Sequence, residues 1–487
     1  MAGVPTTGRR AKAARGTVVN SVYLIGLNGL ALIRGFAVAG FVTVAEYGVW
    51  GLLVVAFTSL YGLVQIGVND KYIQQDSEDQ EAAFQIAFTL QLALSLFFVV
   101  LMIAIMPVYA LAYGNWDILR PGWALALAMP ASAFQAPLWT FYRRLDYMRQ
   151  RQLQAIDPIL NFVVTLSLAA AGFGYWSFVI GMVCGGWAGA IVAVRASPYK
   201  LKLRYEPGTA REYASFSGPL MFQGLCVAVI QLAPVMVAQR TFGTATVGAM
   251  AIASNISRYT LRVDQIVTNT LYPVVCAVKD RRDLLQEAFL KSNRLGLLWA
   301  GPAGVGIFLF APDLVNFVIG SRWDDAIPII QSLGLVAMIN QIGFNWSAFY
   351  RAIGNTKPIA VGGVVMAISV AAIATPLLYY EGIQGYAIGV GISALILVGV
   401  RLFYLNKLFS LRPIFRNIAQ GLVPVVVAVT GTVALRMALW GGDRAGSQAI
   451  LELAVFLGLA GTATVISARA LLAEFRDYLK RPSPASA

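Results

Sequence analysis

Arg258 and Arg262 stand four residues apart inside a long apolar stretch, and Asn255, Gln265 and Asn269 share their helical face. At 100° per residue the five side chains fall within about an 80° arc. Each arginine at the centre of a bilayer-spanning helix costs about 2.5–3.5 kcal/mol even on the lenient insertion scale, so two on one face need a water-filled cavity or an anionic partner. Guanidinium suits phosphate, because its planar fork makes charge-assisted, often bidentate hydrogen bonds that strengthen where water is scarce. Two such groups one helical turn apart match a diphosphate. The alternative use of the stripe is helix packing, with the arginines paired to buried acids. Few acids are available: Asp264 lies on roughly the opposite face, Asp157 and Glu452 sit near helix ends, and Asp313 lies toward the outer end of its span.

Arg34 is a third basic residue, in the outer half of the first apolar span and without an acid at i±3 or i±4. It either widens the same basic surface, facing the stripe, or snorkels to the outer surface. Arg436, near the outer end of the thirteenth span, is expected to snorkel. Asp264 is a candidate ion-coupling carboxylate. Asp157, Asn161 and Thr165 recur at i, i+4, i+8, and Gln223, Gln231, Asn340, Gln341 and Asn345 supply further polar groups, usable by carbohydrate hydroxyls or by interhelical hydrogen bonds.

The elements that must carry these residues are membrane helices. The chain of 487 residues is 58% hydrophobic and 12% charged, a composition that excludes a soluble globular protein. About fourteen apolar runs are long enough to cross a hydrocarbon core of about 30 Å. They cover roughly 17–40, 46–66, 83–106, 122–142, 153–174, 175–195, 215–239, 246–277, 292–318, 326–350, 359–379, 382–405, 418–441 and 448–471.

The net charge of +14 does not point to nucleic acid, because its placement follows the positive-inside rule. With a cytoplasmic N-terminus, about 29 of the 37 basic residues fall inside. The span 246–277 is polar enough to pass for a surface helix. Omitting it would put the basic loops near Arg282, Arg351 and Lys407 outside and destroy the asymmetry, so it is kept.

No catalytic constellation is expected: the chain has no histidine, no HExxH or GxSxG, and no Walker motif. Asp324-Asp325 in GSRWDDA reads as a solvated pair rather than a metal site. Cys184, Cys226 and Cys276 all lie in apolar runs and form neither a disulfide framework nor a metal cluster. Arg9-Arg10 lacks the context of a twin-arginine signal, so the first helix is read as uncleaved. No cofactor and no metal are expected.

Two halves are weakly similar. An offset of 200 sets FVTVAEYGVWGLL from Phe41 over TFGTATVGAMAIA from Thr241, with Gly48 over Gly248. An offset of 208 sets FYRRLDYMRQ from Phe141 over FYRAIGNTKP from Phe349, and Gly181 over Gly389. Six spans separate equivalent points, so the repeats are parallel, related by an axis along the membrane normal. The expected fold is all-α and polytopic: a basic tail (1–16), an N-lobe of six helices (17–195), a cytoplasmic linker (196–214), a C-lobe of six helices (215–405), two extra helices (406–471) and a cytoplasmic tail (472–487). Paired lobes of this kind suit alternating access.

The chain resembles the polysaccharide transporter and O-antigen flippase family of the multidrug/oligosaccharidyl-lipid/polysaccharide exporter superfamily. The resemblance rests on AEYGVWGLL followed by QIGVNDKYIQ, on VGAMAIASNISR, on TLYPVV before a basic loop, and on IGSRWDDAIPIIQSLG. It runs through almost the whole chain, most clearly through 41–75 and 247–357. It implies a flippase that carries an undecaprenyl-diphosphate-linked oligosaccharide from the cytoplasmic to the outer leaflet of a bacterial inner membrane, with glycan-assembly proteins as further partners. The alternatives are an ion-coupled exporter of drugs or small metabolites and a membrane glycan polymerase or ligase. Arg34, Arg258, Arg262, Asn255, Gln265 and Asn269 are the expected substrate-binding set.

Overall fold

The computed structural model describes residues 23, 26–27, 29–64, 68–75, 77–144, 146–258, 275, 280–353, 355, 357–440 and 445–469. All regular structure among the described residues is helical. Among the described residues, eight helical stretches are long and apolar enough to cross a membrane, which makes this a multi-pass membrane protein. The chain divides into two compact units, up to Ala251 and from Ile252.

The first unit holds α1 (Gly29–Ala39), α2 (Val44–Val64), α3 (Val68–Gln74), α4 (Gln80–Tyr113), α5 (Leu119–Ala126), α6 (Met129–Phe134), α7 (Pro137–Arg143), α8 (Tyr147–Gln154), α9 (Ile156–Ala170), α10 (Trp176–Arg195), α11 (Pro207–Phe242) and the start of α12 (Thr244–Arg258). Helix α4 shows how the ends are fixed. The Asp79 carboxylate accepts from Ala82 N at 2.9 Å, satisfying an orphan donor of the first turn. At the other end Gly114 turns the chain at φ 66°, and the Arg240 guanidinium donates to the carbonyls of Leu111 and Ala112. A cation on the last carbonyls opposes the negative end of the helix dipole.

The fourth span is not the continuous helix expected from its hydropathy. It is three short helices, α5, α6 and α7, broken at Leu127–Ala128 and at Gln135–Ala136. The prolines explain the restarts: Pro130 and Pro137 each occupy the first turn of a new helix, where the missing N–H costs nothing.

The second unit holds α13 (Arg282–Leu314), a π-helical turn (Val315–Ile319), a 3-10 turn (Ser321–Ala326), α14 (Ile327–Asn340), α15 (Trp346–Ala352), α16 (Lys357–Ser369), a π-helical turn (Val370–Ala374), α17 (Thr375–Leu408), α18 (Leu411–Leu439) and α19 (Gly446–Ser467). The tenth span is also broken, over 341–345, where Gly343 takes φ 68°. That left-handed conformation is one a side chain disfavours. Trp323 is wholly buried while Asp324 and Asp325 are exposed, so the GSRWDDA turn is anchored by its indole. Of the eighth span, the described helix ends at Arg258.

The internal repeat has a physical counterpart. Helices α2 and α12 touch backbone to backbone: a Cβ on Gly48 would overlap the Thr244 carbonyl, and one on Gly248 would overlap the Val44 carbonyl. The offset of 200 converts each of these contacts into the other, so the crossing is reciprocal. Gly51 meets Ala251 one turn further on, again at that offset. The offset of 208 carries the break at Gln135 onto the break at Gly343. It also carries Gly181, tight against Thr165 of the preceding helix, onto Gly389, tight against Ala374.

Arg436 does not snorkel. Its guanidinium turns into the α18–α19 pair and meets Glu452, with Nη2 3.0 Å and Nε 3.1 Å from Oε2. Glu452 lies in the second turn of α19, near the helix end as expected, and is wholly buried. Snorkelling is what its place near the outer end of the span predicts, but an acid on the next helix offers a closer partner than the surface.

Candidate functional site

Helix α9 presents Asp157, Asn161 and Thr165 on one face, and α10 lies against that face through Gly181, Gly185 and Gly189. Both rows have a spacing of four, so they run side by side. A Cβ at Gly185 would sit 2.7 Å from the Asp157 carbonyl and 2.8 Å from Asn161 Cβ, and one at Gly189 would sit 3.1 Å from Gln135 Nε2. Small residues let the backbones close in, which is how polar groups in a membrane helix come within hydrogen-bonding reach of one another. Gly185→Val is expected to cost about 1–3 kcal/mol by overpacking and to displace Asp157 and Asn161. The check is melting of the purified protein, and an unchanged midpoint would contradict this packing.

Three elements converge on that seam. Arg34, from α1, donates through Nη1 to Asn161 Oδ1. Thr165 Oγ1 donates to the same oxygen at 3.0 Å, so one amide oxygen holds both. Gln135, at the break between α6 and α7, donates through Nε2 to the Gly186 carbonyl at 3.1 Å and lies 3.4 Å from Asp157 Oδ2. The Asp157 carboxylate also interacts electrostatically with Arg34. A guanidinium, a carboxylate, two amides and a hydroxyl therefore form one connected network. Asn161 and Thr165 are buried, whereas Arg34, Asp157 and Gln135 are half-buried. The Arg34 guanidinium thus reaches inward to α9 rather than outward to the surface.

The equivalent break in the second unit is also polar. Asn293 of α13 donates to the Gln341 carbonyl at 2.6 Å, and Arg401 of α17 donates to the carbonyls of Asn340 and Ile342 at 2.6 and 3.4 Å. These bonds occupy carbonyls released where the helix stops. Asn293 Oδ1 and Asn340 Oδ1 are buried with no hydrogen-bond partner among the described residues. Interrupted helices at corresponding positions of two repeats are where transporters of known architecture place their substrate and ion sites.

Of the stripe expected on the eighth span, Asn255 lies on α12, half-buried and engaged by a neighbour. Arg258 is the last described helical residue, and nothing of its side chain is described. Arg262, Asp264, Gln265 and Asn269 lie outside the described residues. Gln135, Asn293 and Arg401 were not singled out by the sequence as functional residues. The prolines around Gln135 were the available signal; for Asn293 and Arg401 there was none, since their partners are 48 and 61 residues away. Among the described residues there is no cluster of metal-ligating side chains. The network's chemistry is binding and exchange of charge: an anion can compete with the carboxylate and the amide for the guanidinium.

A family profile described as "Polysaccharide biosynthesis protein" matches residues 37–328. Among curated proteins, the chain is 22% identical over 238 residues to the succinoglycan biosynthesis transport protein ExoT of Rhizobium meliloti (strain 1021), covering 46% of this chain and 48% of that protein. It is 21% identical over 208 residues to the lipopolysaccharide biosynthesis protein WzxC of Escherichia coli (strain K12), covering 41% and 42%. The chain spans about half the length of the curated relatives it matches. Among solved structures, the lipid II flippase MurJ in an inward closed conformation superposes with TM-score 0.73 at 14% identity, covering 93% of this chain and all of that one. An inward-facing MATE multidrug transporter gives TM-score 0.63 at 14% identity over 81% and 98%. At such identities the likeness is one of fold.

Proposed function

The chain belongs to the polysaccharide biosynthesis protein family, and from that premise we propose that it is a flippase. Its cargo is an undecaprenyl-diphosphate-linked oligosaccharide, carried from the cytoplasmic to the outer leaflet for cell-surface polysaccharide synthesis. The observation that supports this most is Arg34, a guanidinium in an apolar helix held by Asn161 beside Asp157. A guanidinium in an apolar helix is costly even beside Asp157, and an anionic cargo would give that cost a use.

In this reading the diphosphate replaces Asp157 as the counter-ion of Arg34, and Arg258 and Arg262 complete the grip. Asn255, Gln265 and Asn269 offer hydrogen bonds to the sugar, and Asp264 remains a candidate for ion coupling. The two repeats rock about the cargo while the polyprenyl chain stays in the bilayer. The membrane is a bacterial inner membrane with both termini cytoplasmic, and the protein works beside glycan-assembly proteins. No cofactor is needed.

Charge-assisted hydrogen bonds contribute about 1.5–3 kcal/mol each, so Arg34→Gln is expected to lower glycan export about ten- to a hundredfold at unchanged membrane abundance. The measurement is complementation of a flippase-deficient strain, read as surface glycan. The double variant Arg258→Gln/Arg262→Gln should lose export altogether. Full export by that double variant would sink the assignment of the grip, and drug resistance on expression without any glycan phenotype would favour an exporter.

A further inference from the structure

The segment between α10 and α11 lies along a membrane helix. Lys200 N donates to Glu81 Oε1 at 3.3 Å, the Lys200 carbonyl accepts from Gln85 Nε2 at 3.1 Å, and Arg204 N donates to Thr89 Oγ1 at 2.8 Å. Glu81, Gln85 and Thr89 form one face of α4 at a spacing of four. Eight helical residues rise about 12 Å. Four extended residues cover about 13 Å, so the strap from Lys200 to Arg204 is extended and parallels the helix axis.

Its depth follows from α4. The helix has 34 residues, and Leu92–Tyr113 alone rises about 33 Å, enough to fill a hydrocarbon core of about 30 Å. The first turns carry Gln80, Glu81, Gln85, Thr89 and Gln91, polar groups suited to the headgroup layer, so the core-spanning part is taken to start later than the 83–106 run read from the sequence. The strap beside them stands there too.

The side chains of the strap alternate. Tyr199 and Leu201 pack on the cluster around Phe84, Phe88 and Tyr72. Leu203 and Tyr205 continue the same face with no protein to cover them, at 73% and 66% exposure. Lys200, Lys202 and Arg204 occupy the opposite face, all exposed and without an acidic partner among the described residues.

We propose that this strap is a lipid-docking site: Leu203 and Tyr205 enter the boundary between headgroups and acyl chains, and Lys200, Lys202 and Arg204 bind the phosphates of anionic phospholipids. Apolar residues on one face and basic residues on the other are what an interfacial segment needs. The strap joins the two repeats, so the headgroups would hold the connection between them. The proposal needs only that α4 crosses the bilayer, and it stands whichever leaflet the strap faces and whatever the cargo.

The test uses the full chain in lipid nanodiscs, with Cys184, Cys226 and Cys276 replaced by serine and Leu203→Cys carrying an environment-sensitive fluorophore; Tyr205→Cys serves if the first variant fails to fold. Headgroup-labelled nitroxide lipid should quench the probe and aqueous iodide should not. Phosphatidylglycerol in place of phosphatidylcholine should deepen the lipid quenching about twofold, and Lys200→Gln/Lys202→Gln/Arg204→Gln should remove that difference. Free quenching by iodide with none from the lipid would place the strap in water, open to a protein partner, and overturn the proposal. Equal quenching in both lipids would overturn the recognition of anionic headgroups.

Discussion

A chain with Gly48→Ala and Gly248→Ala together should be less stable than either single variant, and the export proposed above should be lost with it. Each new Cβ would overlap a backbone carbonyl, that of Thr244 or that of Val44. A side-chain neighbour could rotate away, but a helix carbonyl cannot. The two helices must therefore separate, and with them the packing of Val247 and Ala251 against Gly51. Overpacking costs about 1–3 kcal/mol per site. Two sites on one crossing approach the total stability of an ordinary domain, about 5–15 kcal/mol. Gly51→Ala is the milder comparison, because its Cβ would meet Ala251 Cβ and the Val247 side chain at 3.0 and 3.2 Å rather than overlap a carbonyl. Thermal melting in detergent, with surface glycan as the second readout, decides the matter. A double variant that melts with the parent would mean that the crossing is not as close as described.

The second large effect concerns the pair α18 and α19. Arg436→Ala leaves the wholly buried Glu452 carboxylate without its guanidinium. Breaking a buried pair from one side costs about 3–5 kcal/mol, because the remaining charge loses its counter-ion. Replacing both partners by apolar residues of similar size, Arg436→Met with Glu452→Leu, should recover most of the loss, since the pair has its own desolvation cost. The ordering expected in a melting series is parent and double variant together, with Arg436→Ala well below. If Arg436→Ala melts with the parent, the pair contributes nothing.

The sequence carried more of the fold than of the site. Apolar runs and the placement of basic residues were enough for a multi-pass helical protein, because both follow from transfer free energies that act residue by residue. The repeat was visible through Gly48, Gly248, Gly181 and Gly389, since close helix approach tolerates only the smallest residue there. The break in the fourth span was also legible in principle, from Pro130 and Pro137, but hydropathy averages over a window and cannot register a lost turn. The row Gly181, Gly185, Gly189 at a spacing of four signalled a tight seam, and only its first member was used.

What stayed hidden depended on long-range contact. Nothing local to Arg34 announces Asn161, 127 residues away, and nothing local to Arg436 announces Glu452. The helical face of an arginine can be read from its neighbours in sequence, but its partner comes from how helices are arranged around it. The polar row of α9 suits carbohydrate hydroxyls and interhelical hydrogen bonds alike in the sequence, and it is the approach of α1 and of the break at Gln135 that makes it a candidate site.

The reciprocal glycine crossing also bears on descent. Because the contact of α2 with α12 exchanges with itself under the offset of 200, the surface around Gly48 is complementary to its own repeat equivalent. A half-length ancestor bearing that surface would have paired with a second copy of itself about a two-fold axis. Duplication and fusion would then keep the pairing while freeing the two sides to drift, as Gly51 and Ala251 have done. Gly48 and Gly248, each facing the backbone of the other helix, are the positions at which that drift is forbidden.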